Sequence, residues 1–185
     1  MSRWPPDTRE RLRQAAFELF AEQGFAETTV PAITARAGLT TRTFFRHFAD
    51  KREVLFTDDA EVPAMVERMM TEAPASASPM TVVLEGLRTV AETRFEPRKA
   101  AIRQLRELVR SDDGLRERDL RKRAAMADAV RQGFLTRGLD GTRAALLAET
   151  CVTLVYVAMT EWLDSDRALY DIIRDTAETL RAELG

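Results

Sequence analysis

The segment from Asp7 to Leu55 constrains this chain most, because it reads as three short helices and the start of a fourth. The third is Thr41–His47, within Thr40-Thr41-Arg42-Thr43-Phe44-Phe45-Arg46-His47-Phe48. It is only about two turns long, and it is too polar on one side for a core element. Thr, Arg and His fall outward and Phe inward, which is the disposition of a helix laid in a DNA major groove.

The boundaries follow from local signals. Leu12, Ala15, Ala16, Leu19 and Phe20 make the i, i+3, i+4 stripe of an amphipathic first helix. Gly24 is expected to stop it in a left-handed conformation that only Gly adopts without strain. Thr28-Thr29 supplies the cap of helix two, Val30 to Ala37, and Pro31 falls in its first turn, where a missing N–H costs nothing. Val30, Ile33 and Ala37 share one side of that helix, Gly38 makes the turn, Leu39 plugs it, and Thr40 caps helix three. A helix, a short Gly turn and a second helix make a helix-turn-helix.

This stretch resembles the N-terminal domain of the TetR family of bacterial transcriptional regulators. The resemblance is carried by Ala15-Ala16-Phe17-Glu18-Leu19-Phe20, Gly24-Phe25, Thr28-Thr29-Val30, Ile33, Ala37-Gly38-Leu39, Thr43-Phe44-Phe45-Arg46-His47-Phe48 and Asp50-Lys51. Order and spacing hold over almost 50 residues without a gap, and beyond them only length and helical rhythm match. Phe45 stands where the family usually has Tyr, which removes a hydroxyl that commonly meets a phosphate. Arg42 replaces a small residue, Pro31 stands at an often basic position, and Ala32 replaces an acidic one, so the capping box with Thr29 is absent. The DNA-binding set implied is Thr29, Thr40, Thr41, Arg42, Thr43, Phe45, Arg46, His47 and Lys51. Arg42 suits guanine and the Thr methyls suit thymine methyls, while Lys51 and His47 read as phosphate contacts. Thr40 as a cap alone, and Thr43 as a packing residue alone, are the open alternatives.

The charge distribution agrees with this placement. The net charge is −2, yet residues 1–52 hold nine Arg/Lys against six Asp/Glu, and the remaining 133 hold 19 against 24. Basic charge therefore gathers where the helix-turn-helix lies. At 185 residues the chain fits one medium domain or a small one plus a larger one, and with 8 Gly and 7 Pro helices are easier to write than strands. Cys151 is the single cysteine, so no internal disulfide forms; its apolar helix makes it a buried small hydrophobe, at home in a reducing cytosol. The start, Met1-Ser2-Arg3-Trp4-Pro5-Pro6, lacks an apolar core, and no apolar run reads as long enough to span a bilayer. A cytoplasmic protein with no membrane partner is expected. His47 is the only histidine and Cys151 the only cysteine, so neither a His-based metal site nor a thiolate site is expected, and no Ser-His-Asp set can be assembled that spares His47, which already has a DNA role. No Gly-rich phosphate loop is present. Neither a cofactor nor an enzymatic activity is expected. The run Arg116, Arg118, Arg121, Lys122, Arg123 is interrupted by Glu117 and Asp119 and reads as a solvated helix face.

The rest of the chain reads as six further helices, giving an all-α protein of nine. Helix four runs from Lys51, capped by Asp50, to about Glu72, with Pro63 kinking it. Helix five covers about Met80–Arg94, helix six runs from Pro97 to Arg110, helix seven covers Leu115–Arg137, helix eight Thr142–Leu163 and helix nine Arg167–Leu184. The expected division is a DNA-binding domain at 1–50 and a ligand-sensing, dimerising domain at 51–185. The resemblance implies an apolar pocket between helices four to eight, with Phe56, Met65, Met69, Leu84, Leu87, Leu105, Leu108, Met126 and Phe134 as candidate lining. Methionines 70, 80 and 159 are further candidates, for pocket or core alike. Helices eight and nine from two chains are expected to form the dimer through Leu147, Cys151, Leu154, Ala158, Trp162, Leu169, Ile173, Thr176 and Leu180. The function implied is a homodimeric repressor released from a palindromic operator in double-stranded DNA by a small hydrophobic ligand, a lipid-like compound for example. The competing readings are an activator or global DNA binder with the same domain, and a helical enzyme or carrier.

Overall fold

The computed structural model describes residues 8–56 and 62–184. Asp7 and the stretch 57–61, expected in helix four, lie outside them. The described regular structure is all helical: α1 (Thr8–Glu27), α2 (Val30–Arg36), α3 (Thr41–His47), α4 (Val62–Glu72), α5 (Pro79–Val90), α6 (Lys99–Ser111), α7 (Asp113–Thr136), α8 (Gly141–Leu163) and α9 (Leu169–Glu183). The all-α, nine-helix expectation holds for these residues. They fall into two compact units, Met1–Asp59 with Gln104–Asp119, and Ala60–Arg103 with Leu120–Gly185.

In the first unit, α1 to α3 surround a core of Leu12, Ala16, Phe20, Ile33, Phe44 and Phe48. Val54, Leu55 and Phe56 bury against it, as do Leu108, Val109 and Leu115 from the end of α6 and the start of α7. A boundary at residue 50 would cut through this core, which explains why the unit extends past it. Gly24 ends the straight part of α1, as expected, but with φ +82 and ψ 166 rather than a left-handed helical ψ. That extended mirror region is essentially restricted to Gly.

Helix four does not begin at Lys51. Asp50 does cap, accepting the Glu53 N–H at 2.8 Å, but the element it caps is a 3-10 turn, Glu53–Leu55. Val54 is fully buried there, and one tight turn is what places Val54, Leu55 and Phe56 inward together. Pro63 is not a kink within a long helix. It is the second of the residues described in α4, and the stretch before Val62 lies outside the described residues.

In the second unit, α8 lies against α5 and α9. Fully buried Trp162, Phe134, Leu154, Leu169, Ile172 and Ile173 anchor its core. The chain does not break between the expected helices five and six. It passes from α5 through a π-turn, Ala91–Phe95, and a 3-10 turn, Glu96–Arg98, straight into α6. Pro97 cannot donate to an α-helical ladder, and the irregular turns carry the chain past it. From this segment Glu96 accepts the Leu169 N–H at 2.5 Å and so caps α9, whose own N-cap residue, Ala168, supplies no side chain. Lys99 Nζ donates to Ser165 O at 2.5 Å and lies 5.0 Å from the Trp162 ring centroid, while Arg103 donates to Leu163 O.

One helix contradicts the expectation about apolar runs. By length and composition α8 could cross a membrane. Ten of its residues are instead buried in the chain's own core, which accounts for its apolar character.

Candidate nucleic-acid interface

Two caps and one turn place the outer face of α3. Thr29 Oγ1 accepts the Ala32 N–H at 3.2 Å and starts α2. At its end the Gly38 N–H reaches Ala35 O and the Leu39 N–H reaches Thr34 O, with Gly38 at φ +64. Thr40 Oγ1 then accepts the Thr43 N–H at 3.2 Å, and the two Thr hydroxyls sit 3.0 Å apart. The Thr40 and Thr43 hydroxyls thus serve the helix end.

Buried Phe44 and Phe48, their rings 5.3 Å apart, key α3 into the core. Thr41, Arg42, Phe45 and Arg46 are exposed, and Thr43 and His47 are half-buried. Neither Arg42 nor Arg46 makes a hydrogen bond or ion pair with a described residue, so both guanidinium forks are available to bases or phosphates. Phe45 is 58% exposed, edge-on to Phe44. Having no hydroxyl, it offers only an apolar contact, of the kind that meets a thymine methyl.

Lys51 departs from its expected role. Its Nζ donates to Phe25 O at 2.5 Å, Thr28 O at 2.7 Å and Ala26 O at 3.4 Å, and lies 4.1 Å from the Phe25 ring centroid. Desolvation pulls its pKa below the ordinary lysine value. An ammonium that donates to three carbonyls at and just after the end of α1 is a cap, so its donors are already engaged within the fold.

Two arginines without a motif of their own hold the helices together. Arg11 Nη2 donates to Ala37 O at 2.6 Å, pinning the turn to α1. Arg36 forks onto Glu22 at 2.9 and 2.7 Å and reaches Glu18 at 3.5 Å. The hydrogen bond from Arg36 holds the Glu22 carboxyl below the ordinary carboxylate range. Partners 26 and 14 residues apart leave no local signal in the sequence.

The second unit contains a cavity of about 70 Å³. Of the candidate lining residues it brings together Met65, Met69, Leu87 and Met126, joined by Met70, Val83, Phe95, Val130, Cys151 and Val155 among others. Leu84 and Phe134 pack in the surrounding core instead. Phe56, Leu105 and Leu108 belong to the core of the first unit, because the end of α6 is built into that unit. Met159 is core and Met80 is exposed. Burial pushes the Cys151 thiol up to about 12.

The expected dimer face needs a similar correction. Leu154, Ala158, Trp162, Leu169 and Ile173 are at most 1% exposed, and Cys151 is buried beside the cavity. They are turned to α5, α9 and the cavity, so no second chain can reach them. Leu147 and Thr176 are half-buried, and Leu180 is exposed. The apolar positions that α8 does present outward are Leu146 and Val157.

Residues 12–57 match the family model for bacterial regulatory proteins of the tetR family. The HTH-type transcriptional regulator TcmR of Streptomyces glaucescens is 36% identical over 83 residues, which cover 45% of this chain and 37% of TcmR. The chain spans about a third of the length of the curated relatives it matches. Thermus thermophilus FadR, a TetR family transcriptional repressor solved in complex with lauroyl-CoA, aligns with a TM-score of 0.59 at 23% identity, over 93% of this chain and 92% of that one. SmeT, solved as a triclosan complex, aligns with a TM-score of 0.60 at 23% identity, over 96% and 90%. At such identities the structural likeness establishes the fold alone. The matched family and TcmR are transcriptional regulators, not enzymes.

Proposed function

We propose that this chain, whose residues 12–57 match the family model for bacterial regulatory proteins of the tetR family, is a homodimeric, ligand-released repressor of that family. In this reading the unit carrying α1 to α3 binds the operator. Residues of the other unit sense a small apolar molecule and join two copies. The location is cytoplasmic, where the DNA is.

The observation that carries the reading is the outer face of α3. Two arginines and a Thr41 hydroxyl with no partner among the described residues, and an exposed aromatic ring, stand on a two-turn helix whose inner face is locked by Phe44 and Phe48. An exposed ring beside two arginines gives this face both an apolar contact for a thymine methyl and donors for base edges, the two kinds of contact by which a helix reads the major groove. Ligand release is supported by the apolar cavity, and by two proteins of the same fold solved with lauroyl-CoA and with triclosan. A dimer is supported by the outward positions of α8. Leu146, Thr150, Thr153, Val157 and Thr160 succeed one another at the 4-3-4-3 spacing of a helix–helix seam.

Selection of DNA from a random pool by the purified protein tests this directly. The expected product is a near-palindrome whose half-sites place two recognition helices about 34–36 Å apart, or a multiple of that. Recovery of no preferred sequence, with binding that tracks salt alone, would reassign the chain to general DNA binding.

A further inference from the structure

The walls of the cavity in the second unit are unusual in what they leave out. Among the described residues no charged side chain, hydroxyl or amide lines it; the only hydrogen-bonding side chain is the Cys151 thiol, itself buried. Sulfur is over-represented: Met65, Met69, Met70 and Met126 join Cys151 around the same space. We infer that the cavity takes an uncharged aromatic ligand, and that a carboxylate or other anionic group is refused. The inference rests on the reading of this unit as the ligand-sensing part, and it deepens that reading by naming the chemical class.

Two physical reasons set the class. An anion carried inside would find no donor and no counter-charge, and such a group is excluded rather than merely weakened. Thioether sulfurs are polarizable and make favourable contacts with the edges and faces of aromatic rings, a gain that a saturated ring of the same size does not receive. Size is met by movement. About 70 Å³ is less than the roughly 150 Å³ of an engineered cavity that takes benzene. The methionines are the movable walls. The Met69 methyl sits 2.6 Å from where a Cβ on Gly86 would lie, so it occupies a notch that this glycine opens in α5. The notch accommodates that tip, and rotation of the other flexible walls, Met65, Met70 and Met126, enlarges the cavity at little cost.

Calorimetric titration of the full chain with toluene, methylcyclohexane and benzoate at pH 7.5 tests this. Toluene is expected to bind, methylcyclohexane about 2–10-fold more weakly, and benzoate at least about 100-fold more weakly. Replacing Met65, Met69 and Met126 together by Leu, a nearly volume-conserving change, is expected to abolish the preference for toluene over methylcyclohexane. Gly86→Ala removes the notch, drives the Met69 tip inward and lowers toluene affinity; Ala is the better helix former, so the variant folds. No toluene binding, or benzoate bound as tightly as toluene, overturns the proposal. Equal binding of toluene and methylcyclohexane overturns its aromatic part, and unchanged toluene affinity in Gly86→Ala overturns the placement in this cavity. DNA binding is not a readout here. A chain that binds toluene but selects no DNA sequence loses the regulator reading alone, and one that selects an operator but ignores toluene loses only this inference.

Discussion

Arg42 and Lys51 look alike in the sequence, one cation within a short helix and one just after it, and the fold surrounds them differently. Arg42 is exposed and has no partner among the described residues, so truncation removes no contact made with them. Arg42→Ala is expected to leave urea stability within about 0.5 kcal/mol, while relaxing the selected motif at one base pair per half-site at a cost of about 1–3 kcal/mol. Lys51→Ala is expected to do the reverse. It strips a charged donor from Phe25 O and Thr28 O, and hydrogen bonds to charged groups contribute about 1.5–3 kcal/mol. The urea midpoint should fall, with the selected motif unchanged; a Lys51→Ala protein of wild-type stability would return the residue to the phosphates. Cys151 gives a further residue-scale prediction. Its thiol is pushed up to about 12 by burial, so at pH 8.5, where an exposed thiol is about half ionised, it should resist a disulfide reagent until the chain is unfolded. Between about pH 8.5 and 12 the unfolded chain releases this proton and the fold retains it, so this group's contribution to stability falls as pH rises. Rapid labelling of the native protein would contradict the buried placement.

At the scale of elements, what the sequence makes legible is what its short-range signals encode. The limits of α3 and its Thr40 cap lie within an i, i+3 pattern, and Gly24 and Gly38 mark their own positive-φ turns. The turn after Lys51 and the π-turn at Ala91–Phe95 are not legible, because neither has a composition of its own. The first exists because Val54 and Phe56 must both reach the core of the first unit. The second exists because Pro97 falls in mid-helix while Glu96 and Lys99 hold the turn between α8 and α9. The candidate cavity is half legible for the same reason. Apolar periodicity finds inward faces, but it does not tell which inward face meets a void and which meets a neighbour. That is why Leu105 and Leu108 read as cavity lining in the sequence, when the end of α6 belongs to another core. Glu96 tests this level. Its carboxylate is the side-chain cap of α9, so Glu96→Ala should cost about 0.5–2 kcal/mol and speed hydrogen exchange at the Leu169 amide. Wild-type exchange there would mean that the cap is dispensable.

For the whole molecule, the apolar width of α8 is explained first by burial within one chain, and only its remainder is available to a second. Leu154 faces the interior at 1% exposure, whereas Leu146 is 64% and Val157 54% exposed on the same helix. Arginine at the first kind of position buries a charge with no partner and should cost about 3–5 kcal/mol. Arginine at the second kind leaves the chain folded, because the side chain already meets solvent. In the proposed dimer the two substitutions therefore separate. Leu154→Arg should lose its folded far-ultraviolet signal at lower urea, while a Leu146→Arg, Val157→Arg double variant should sediment as a folded monomer at micromolar concentration. Operator binding is the joint readout. A palindromic site is held by two recognition helices at once, so a folded monomer keeps each α3 intact yet loses the effective-concentration gain of the second half-site. The double variant should accordingly bind a single half-site as the wild type does and the full operator much more weakly. If it remains dimeric with full operator affinity, Leu146 and Val157 are not the seam, and the two-fold contact must be sought on another face.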